Sequence, residues 1–118
     1  RIVFDQTQAI VDKKEPIDGF ICLEAQGGKE VATVLSNAKV TGKVVVAMDT
    51  DEKTLDYVKQ GVIAATIAQK PYTMGYVGIT IVDDYHHSKA AIATGATLVD
   101  KSNVDEVMQA IQQSQTRK

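Results

Sequence analysis

At 118 residues the chain is long enough for one hydrophobic core, and we expect a single domain at most. Its 13 basic and 15 acidic residues give a formal net charge of −2, so charge provides no argument for binding to nucleic acid or to an acidic membrane surface. No apolar run approaches the ~18 residues that a membrane span needs. Because the sequence starts at Arg1 rather than at methionine, we expect a cut N-terminus, and the lack of a visible signal peptide carries no weight.

Apolar spacing and helix-ending residues predict alternating helices and strands along the chain. Pro16 ends the first helix, because proline disfavours helical angles at the residue before it, and Gly61 stops the third helix. Asp51 is the expected N-cap of that third helix. The predicted helices are residues 1–15, 29–38, 51–60 and 74–85 and a last one from Val104 to Ile111, and the predicted strands are residues 17–23, 44–48, 62–68 and 97–99.

This order predicts an α/β fold of the Rossmann-like kind, with three layers and a mainly parallel sheet that helices cover on both faces. The continuous apolar run VVVAM at residues 44–48 supports it, because parallel strands are buried on both sides. Gly27 and Gly28 are predicted to form a turn before the second helix. Cys22 lies in an apolar run, which predicts a buried, unreactive thiol.

Polar side chains follow three of the predicted strands at the points where they end. Asp49 follows the strand at 44–48, Gln69 follows the strand at 62–68, and Glu24 follows the strand at 17–23. Open α/β sheets bind their ligands at this edge, so the layout predicts a ligand site. Carboxylate and amide groups suit a polyol, but Asp49 could equally hold a cation, act as a base or cap the following helix. Gln69 could instead bond to backbone as a hinge residue, and Glu24 could be a solvated loop carboxylate.

Other chemistries find little support in the sequence. The dinucleotide pattern G-x-G-x-x-G and the phosphate-binding loop G-x-x-x-x-G-K are absent. His86 and His87 are adjacent and would point to different faces of a helix, so they make a poor metal pair. An enzyme using Asp49 and Glu24 as an acid–base pair remains a minor alternative, because no nucleophile–base pair accompanies them. We therefore expect no catalysis, no cofactor and no metal.

The segment VVVAMDTDEKTLDYVKQGVIAATIAQKPYTMGYVGI resembles the C-terminal part of type I periplasmic sugar-binding proteins. These are the substrate receptors of bacterial ABC importers, in the ribose-binding-protein group. Residues 17–23 and 97–105 match the same pattern. The resemblance implies that Asp49 and Gln69 hydrogen-bond the hydroxyls of a small-molecule sugar. It also implies a ligand contact at Glu24, although that position is commonly Asn or Asp in the family.

The resemblance further implies a periplasmic protein with two lobes that close on the sugar and signal to a membrane ABC permease. Residues 1–118 would then be a single partial domain, the C-terminal part of such a protein, in which residues 70–96 cross the hinge and pack on the other lobe. With that lobe missing, the apolar side of the helix at 74–85 would be exposed, and we expect the chain to form a homo-oligomer or a swapped dimer.

A second function shares this fold: the effector-sensing domain of a LacI-type transcriptional repressor. A helix-turn-helix upstream of residue 1 would distinguish it from a transport receptor, which would carry a signal peptide there. The wording IAQKPYTMG favours the transport receptor.

Overall fold

A computed structural model describes residues 1–87 and 97–115. Residues 88–96, which belong to the predicted hinge segment at 70–96, lie outside the described residues. The predicted order of helices and strands is confirmed. The helices are α1 (Ile2–Asp12), α2 (Gly27–Asn37), α3 (Glu52–Gln60), α4 (Pro71–His86) and α5 (Val104–Gln115), and the strands are β1 (Gly19–Ile21), β2 (Val44–Met48), β3 (Ala65–Ala68) and β4 (Thr97–Asp100).

The four strands form one sheet in the order β1-β2-β3-β4. β1 and β2 pair in parallel, as do β2 and β3, whereas β4 runs antiparallel to β3. The α/β class with a mainly parallel sheet is confirmed. β4 is the one antiparallel strand of this mainly parallel sheet in the described part of the chain, and apolar spacing along a strand does not encode the direction in which the strand enters the sheet.

One face of the sheet carries the hydrophobic core. The register places Phe20, Val45 and Ala47 of β1 and β2 on the same face as Thr66 of β3 and Val99 of β4. Helices α2, α3 and α5 pack on this face, and α1 packs against α2. The helices contribute a second set of buried apolar side chains, which are Val31, Ala32, Val34, Leu35, Leu55, Val58 and Val104.

The opposite face of the sheet is open in the described part of the chain. Ile21 is 77% exposed, Leu23 79%, and Val44 and Leu98 are each 56% exposed. The prediction that helices cover both faces is therefore wrong for the described residues. The sequence favoured cover on both faces because these exposed side chains are as apolar as those that face the core.

Helix α4 also leaves its apolar side uncovered. It begins at Pro71 rather than at Met74, which suits proline because the first helical position needs no N–H donor. Tyr72, Tyr76, Ile79 and Val82 are all largely exposed. The exposure that the resemblance implied for this helix is therefore present in the structure.

Gly27 and Gly28 are the first two residues of α2 rather than a turn, and both are buried. Close packing explains them. A Cβ atom on Gly28 would lie 2.3 Å from the Cβ of Ala47 on β2, so only glycine lets the helix approach the sheet this closely. The sequence pattern showed two glycines at a helix start but not what the helix packs against.

Helix α1 is shorter than its prediction. It ends at Asp12, three residues before the predicted end, and Lys14 adopts a left-handed φ of 51°. Ile2 is exposed, whereas Thr7 is buried and its hydroxyl donates to the carbonyl of Val3. A threonine can take a buried helical position because it bonds to its own helix.

Cys22 is half-buried rather than fully buried. Burial, together with the nearby charge of Glu24, raises the pKa of its thiol. A raised pKa keeps the sulfur in its less reactive protonated form at neutral pH. The predicted unreactive character of this thiol is consistent with that direction.

Candidate functional site

Asp49 directly follows β2 and adopts a left-handed backbone conformation with a φ of 72°. Few residues other than glycine adopt this conformation, although aspartate tolerates it better than most. The N–H of Asp49 donates to the carbonyl of Ile67 on the neighbouring strand, at 2.9 Å. Asp49 does not cap α3, because Asp51 is the N-cap and accepts a hydrogen bond from the N–H of Thr54. The carboxylate of Asp49 is thus left for another role.

The structure brings Asp49 and Gln69 together. The side-chain amide of Gln69 donates to Oδ1 of Asp49 at 2.7 Å, across 20 positions of sequence. The hinge alternative would require Gln69 to bond to backbone. Its amide bonds instead to the side chain of Asp49. Asp49 is half-buried and Gln69 is exposed, so the pair lies at an open edge of the sheet. Oδ2 of Asp49 and Oε1 of Gln69 have no partner in the described part of the chain.

Glu24 follows β1 at the same edge of the sheet, but its carboxylate turns toward α2. Its Oε2 accepts a hydrogen bond from the N–H of Gln26 at 3.0 Å. Its Oε1 would lie 2.9 Å from a Cβ atom on Gly27. Glu24 thus stabilises the turn into α2, and no described hydrogen bond joins it to Asp49 or to Gln69.

A second carboxylate, that of Asp51, lies two residues after Asp49 in a network that the sequence did not reveal. Burial by itself raises the pKa of Asp51, but hydrogen bonds from the hydroxyl and N–H of Thr54 and the ammonium of Lys29 outweigh it and hold the pKa below its ordinary value. Lys29 lies 3.3 Å from Oδ1 of Asp51 and so links α2 to the start of α3. The loop between β2 and α3 is therefore fixed, at the end where α3 begins, by the ionised N-cap Asp51.

The described residues contain no cluster of three or more His, Cys, Asp or Glu side chains that could hold a metal ion. His87, the residue that follows α4, lies 2.7 Å from the carbonyl oxygen of Asp83, four residues earlier. Among the described helices, none has both the length and the apolar character that a membrane span requires. The chemistry available at the sheet edge is hydrogen bonding by a carboxylate and an amide.

Solved structures of sugar-binding proteins are similar to this chain. AraP, an arabinose binding protein from Geobacillus stearothermophilus, has 28% sequence identity and a TM-score of 0.73, over 88% of this chain and 40% of that chain. A carbohydrate transporter solute binding protein from Agrobacterium radiobacter, solved with D-arabinose, has 29% identity and a TM-score of 0.74, over 92% and 38%. The sugar-binding protein of a sugar ABC transporter from Bacillus halodurans has 27% identity and a TM-score of 0.72, over 88% and 41%.

This chain thus spans about two fifths of the length of each of these solved proteins. Among curated protein sequences, none is similar enough to count as a match. Residues 3–90, about three quarters of the chain, match the family model described as the periplasmic binding protein domain. The chain belongs to the periplasmic binding protein family.

Proposed function

We propose that this chain is the C-terminal part of the substrate-binding component of a bacterial ABC-type sugar importer, of the ribose-binding-protein group. It binds a simple sugar and performs no catalysis. The observation that carries this proposal is the pairing of Asp49 with Gln69 at the ends of two neighbouring parallel strands. Family membership and the sugar-binding character of the similar structures support it.

The chemistry of the pair suits a sugar. One oxygen of Asp49 is bonded to Gln69, which leaves the other oxygen to accept from a sugar hydroxyl. The carbonyl of Gln69 can accept and its amide can donate, so the pair matches hydroxyl groups, which do both. Because Gln69 already orients Asp49 before ligand arrives, binding needs little reorganisation of the carboxylate.

Glu24 is the third side chain of the proposed site. It follows the neighbouring strand β1 by three residues, and β1 runs parallel to β2, so we place it at the same edge of the sheet as Asp49. Its Oε2 is used by the turn into α2, and its Oε1 is the atom we assign to the ligand. Its extra methylene, compared with aspartate, allows one carboxylate to serve both.

The remainder of the fold follows from the same proposal. The other lobe supplies the second wall of the sugar cleft, residues 70–96 cross the hinge, and the exposed apolar side of α4 packs on that lobe. The open face of the sheet, with Ile21 and Val44, is covered by a further part of the lobe that contains this sheet, a part that lies outside the 118 residues. The full protein acts outside the cytoplasm and delivers sugar to an ABC permease.

The repressor alternative gains no support from the three structures described above, which are binding proteins for sugar or carbohydrate and include two transporter components. No feature of the described fold favours it. We therefore do not propose it as a second function.

A thermal-shift panel of pentoses and hexoses tests the proposed function on the protein at its full natural length. A ligand at 100 times its Kd stabilises the folded state by about 2.7 kcal/mol. We expect at least one sugar to raise the melting temperature by several degrees. Sugar phosphates and amino acids serve as matched controls. A panel in which no sugar stabilises the protein, or in which an amino acid does, would contradict the proposal.

The exposed side of α4 supports a second proposal, that the 118-residue chain by itself forms a dimer or exchanges this helix between copies. Association would bury Tyr76, Ile79 and Val82. Light scattering at rising protein concentration is expected to give a mass above the monomer's 12.7 kDa. Charged substitutions at Ile79 and Val82 should restore the monomer, and a monomeric mass of the unaltered chain at high concentration would refute association.

A further inference from the structure

In the described part of the chain, strand β3 and Gln69, the residue after it, supply the hydrogen-bond partners of Asp49. Its N–H donates to the carbonyl of Ile67. Its carbonyl accepts from the hydroxyl of Thr66 at 2.7 Å, and its carboxylate accepts from Gln69 at 2.7 Å. The backbone bonds fix the residue on both sides of its Cα, which stabilises a conformation that costs of order 1–3 kcal/mol.

Thr66 is an unusual choice for its position. It lies in the middle of β3 on the core face of the sheet, with a relative exposure of 0%. Valine has nearly the same shape and no buried polar atom, so packing alone would favour valine. The hydroxyl bonds to the carbonyl of Asp49 and to no other described group. The Thr66 hydroxyl therefore acts on Asp49, at the end of the neighbouring strand and in the proposed ligand site.

We propose that Thr66 is a positioning residue that sets the direction of the Asp49 carboxylate for sugar binding. This inference rests on the proposed function. The Thr66 hydroxyl fixes the orientation of the peptide group that follows Asp49. The orientation of this peptide group sets the direction in which the Asp49 side chain points from the end of the strand. Without the hydroxyl, the carbonyl of Asp49 loses its partner, the left-handed conformation loses support, and the carboxylate moves away from Gln69.

The test measures sugar affinity by calorimetry in the protein at its full natural length, with the sugar that gives the largest shift in the panel. Thr66→Val removes only the hydroxyl and is expected to weaken binding about tenfold, since one hydrogen bond is worth roughly this factor. Thr66→Ser keeps the hydroxyl and should stay within about twofold of the unaltered protein. Thr66→Ala, which cannot overfill the core, provides a second hydroxyl-free variant if Thr66→Val does not fold.

Thr54→Val is the matched control. Thr54 is also fully buried, and its hydroxyl donates to Asp51 at 2.7 Å rather than to Asp49 or Gln69. Its loss should lower the melting temperature and leave sugar affinity within about twofold. A general loosening of the fold would lower affinity in both valine variants, whereas a positioning role lowers it only for Thr66→Val.

A double-mutant cycle with Asp49→Ala separates this inference from the proposed site. If Thr66 acts through the carboxylate, Thr66→Val changes affinity by less than about twofold once Asp49 is alanine. An undiminished tenfold loss in that background, or no loss from Thr66→Val alone, would overturn the positioning role. If Asp49→Ala itself leaves affinity unchanged, the proposed site is wrong, and the role assigned to Thr66 is wrong with it.

Discussion

Replacing Asp49 with alanine is expected to weaken sugar binding roughly 100-fold, about 2.7 kcal/mol, in the protein at its full natural length. The substitution removes the carboxylate that Gln69 orients, and it leaves buried sugar hydroxyls without an acceptor. The amide of Gln69 loses its partner at the same time. Calorimetric titration with the sugar selected by the thermal-shift panel measures the change.

Backbone strain is a second effect of this substitution, because alanine tolerates a φ of 72° poorly. Asp49→Gly is the matched variant, since glycine adopts this conformation without cost and also lacks the carboxylate. Both variants should lose affinity to a similar extent, while Asp49→Ala alone also loses stability. Unchanged affinity in Asp49→Gly would show that the carboxylate does not contact the sugar.

Replacing Gly28 with alanine should lower the free energy of unfolding by about 1–2 kcal/mol. The new methyl group would lie 2.3 Å from the Cβ of Ala47 and 3.2 Å from its Cα, so α2 or β2 has to move. Overpacking of this kind typically costs 1–3 kcal/mol, and the better helix propensity of alanine returns about 1 kcal/mol at most. Urea denaturation followed by circular dichroism measures the difference.

Gly78→Ala is the control for this prediction. Gly78 is also inside a helix, α4, but a Cβ atom there would meet nothing within 4 Å. The substitution should leave stability unchanged or raise it by up to about 1 kcal/mol. If Gly28→Ala is as stable as Gly78→Ala, the close contact between α2 and β2 is not present in solution.

Helix and strand positions could be predicted well where a local rule sets an end. β2 was expected at residues 44–48 and lies there, because a continuous apolar run followed by Asp49 leaves little choice. Helix α3 has the expected cap at Asp51, and Gly61 ends it with a left-handed φ of 77°. These features depend on residues close together in sequence.

Features that depend on distant residues could not be predicted in the same way. Neither the antiparallel direction of β4 nor the packing of Gly28 on Ala47 leaves a periodic signal. The open face of the sheet carries the apolar residues of a buried face, Ile21 and Val44 among them, so composition alone cannot reveal that it is open.

The candidate site shows the same division. Asp49, Gln69 and Glu24 could be chosen from the sequence because each follows a strand, and the structure joins the first two. Their placement in a ligand site remains a prediction. Thr66 and Lys29 were missed, because a buried threonine in an apolar strand and a lysine in a helix are ordinary in sequence. Only the fold places their polar atoms beside Asp49 and Asp51.

A structure of the protein at its full natural length with the selected sugar bound tests the central claim most directly. We expect the carboxylate of Asp49 and the side-chain amide of Gln69 each to lie about 2.6–3.2 Å from a sugar hydroxyl, with their mutual hydrogen bond retained. A sugar that lies between the lobes without contacting either side chain, or that binds elsewhere on the protein, would contradict the account.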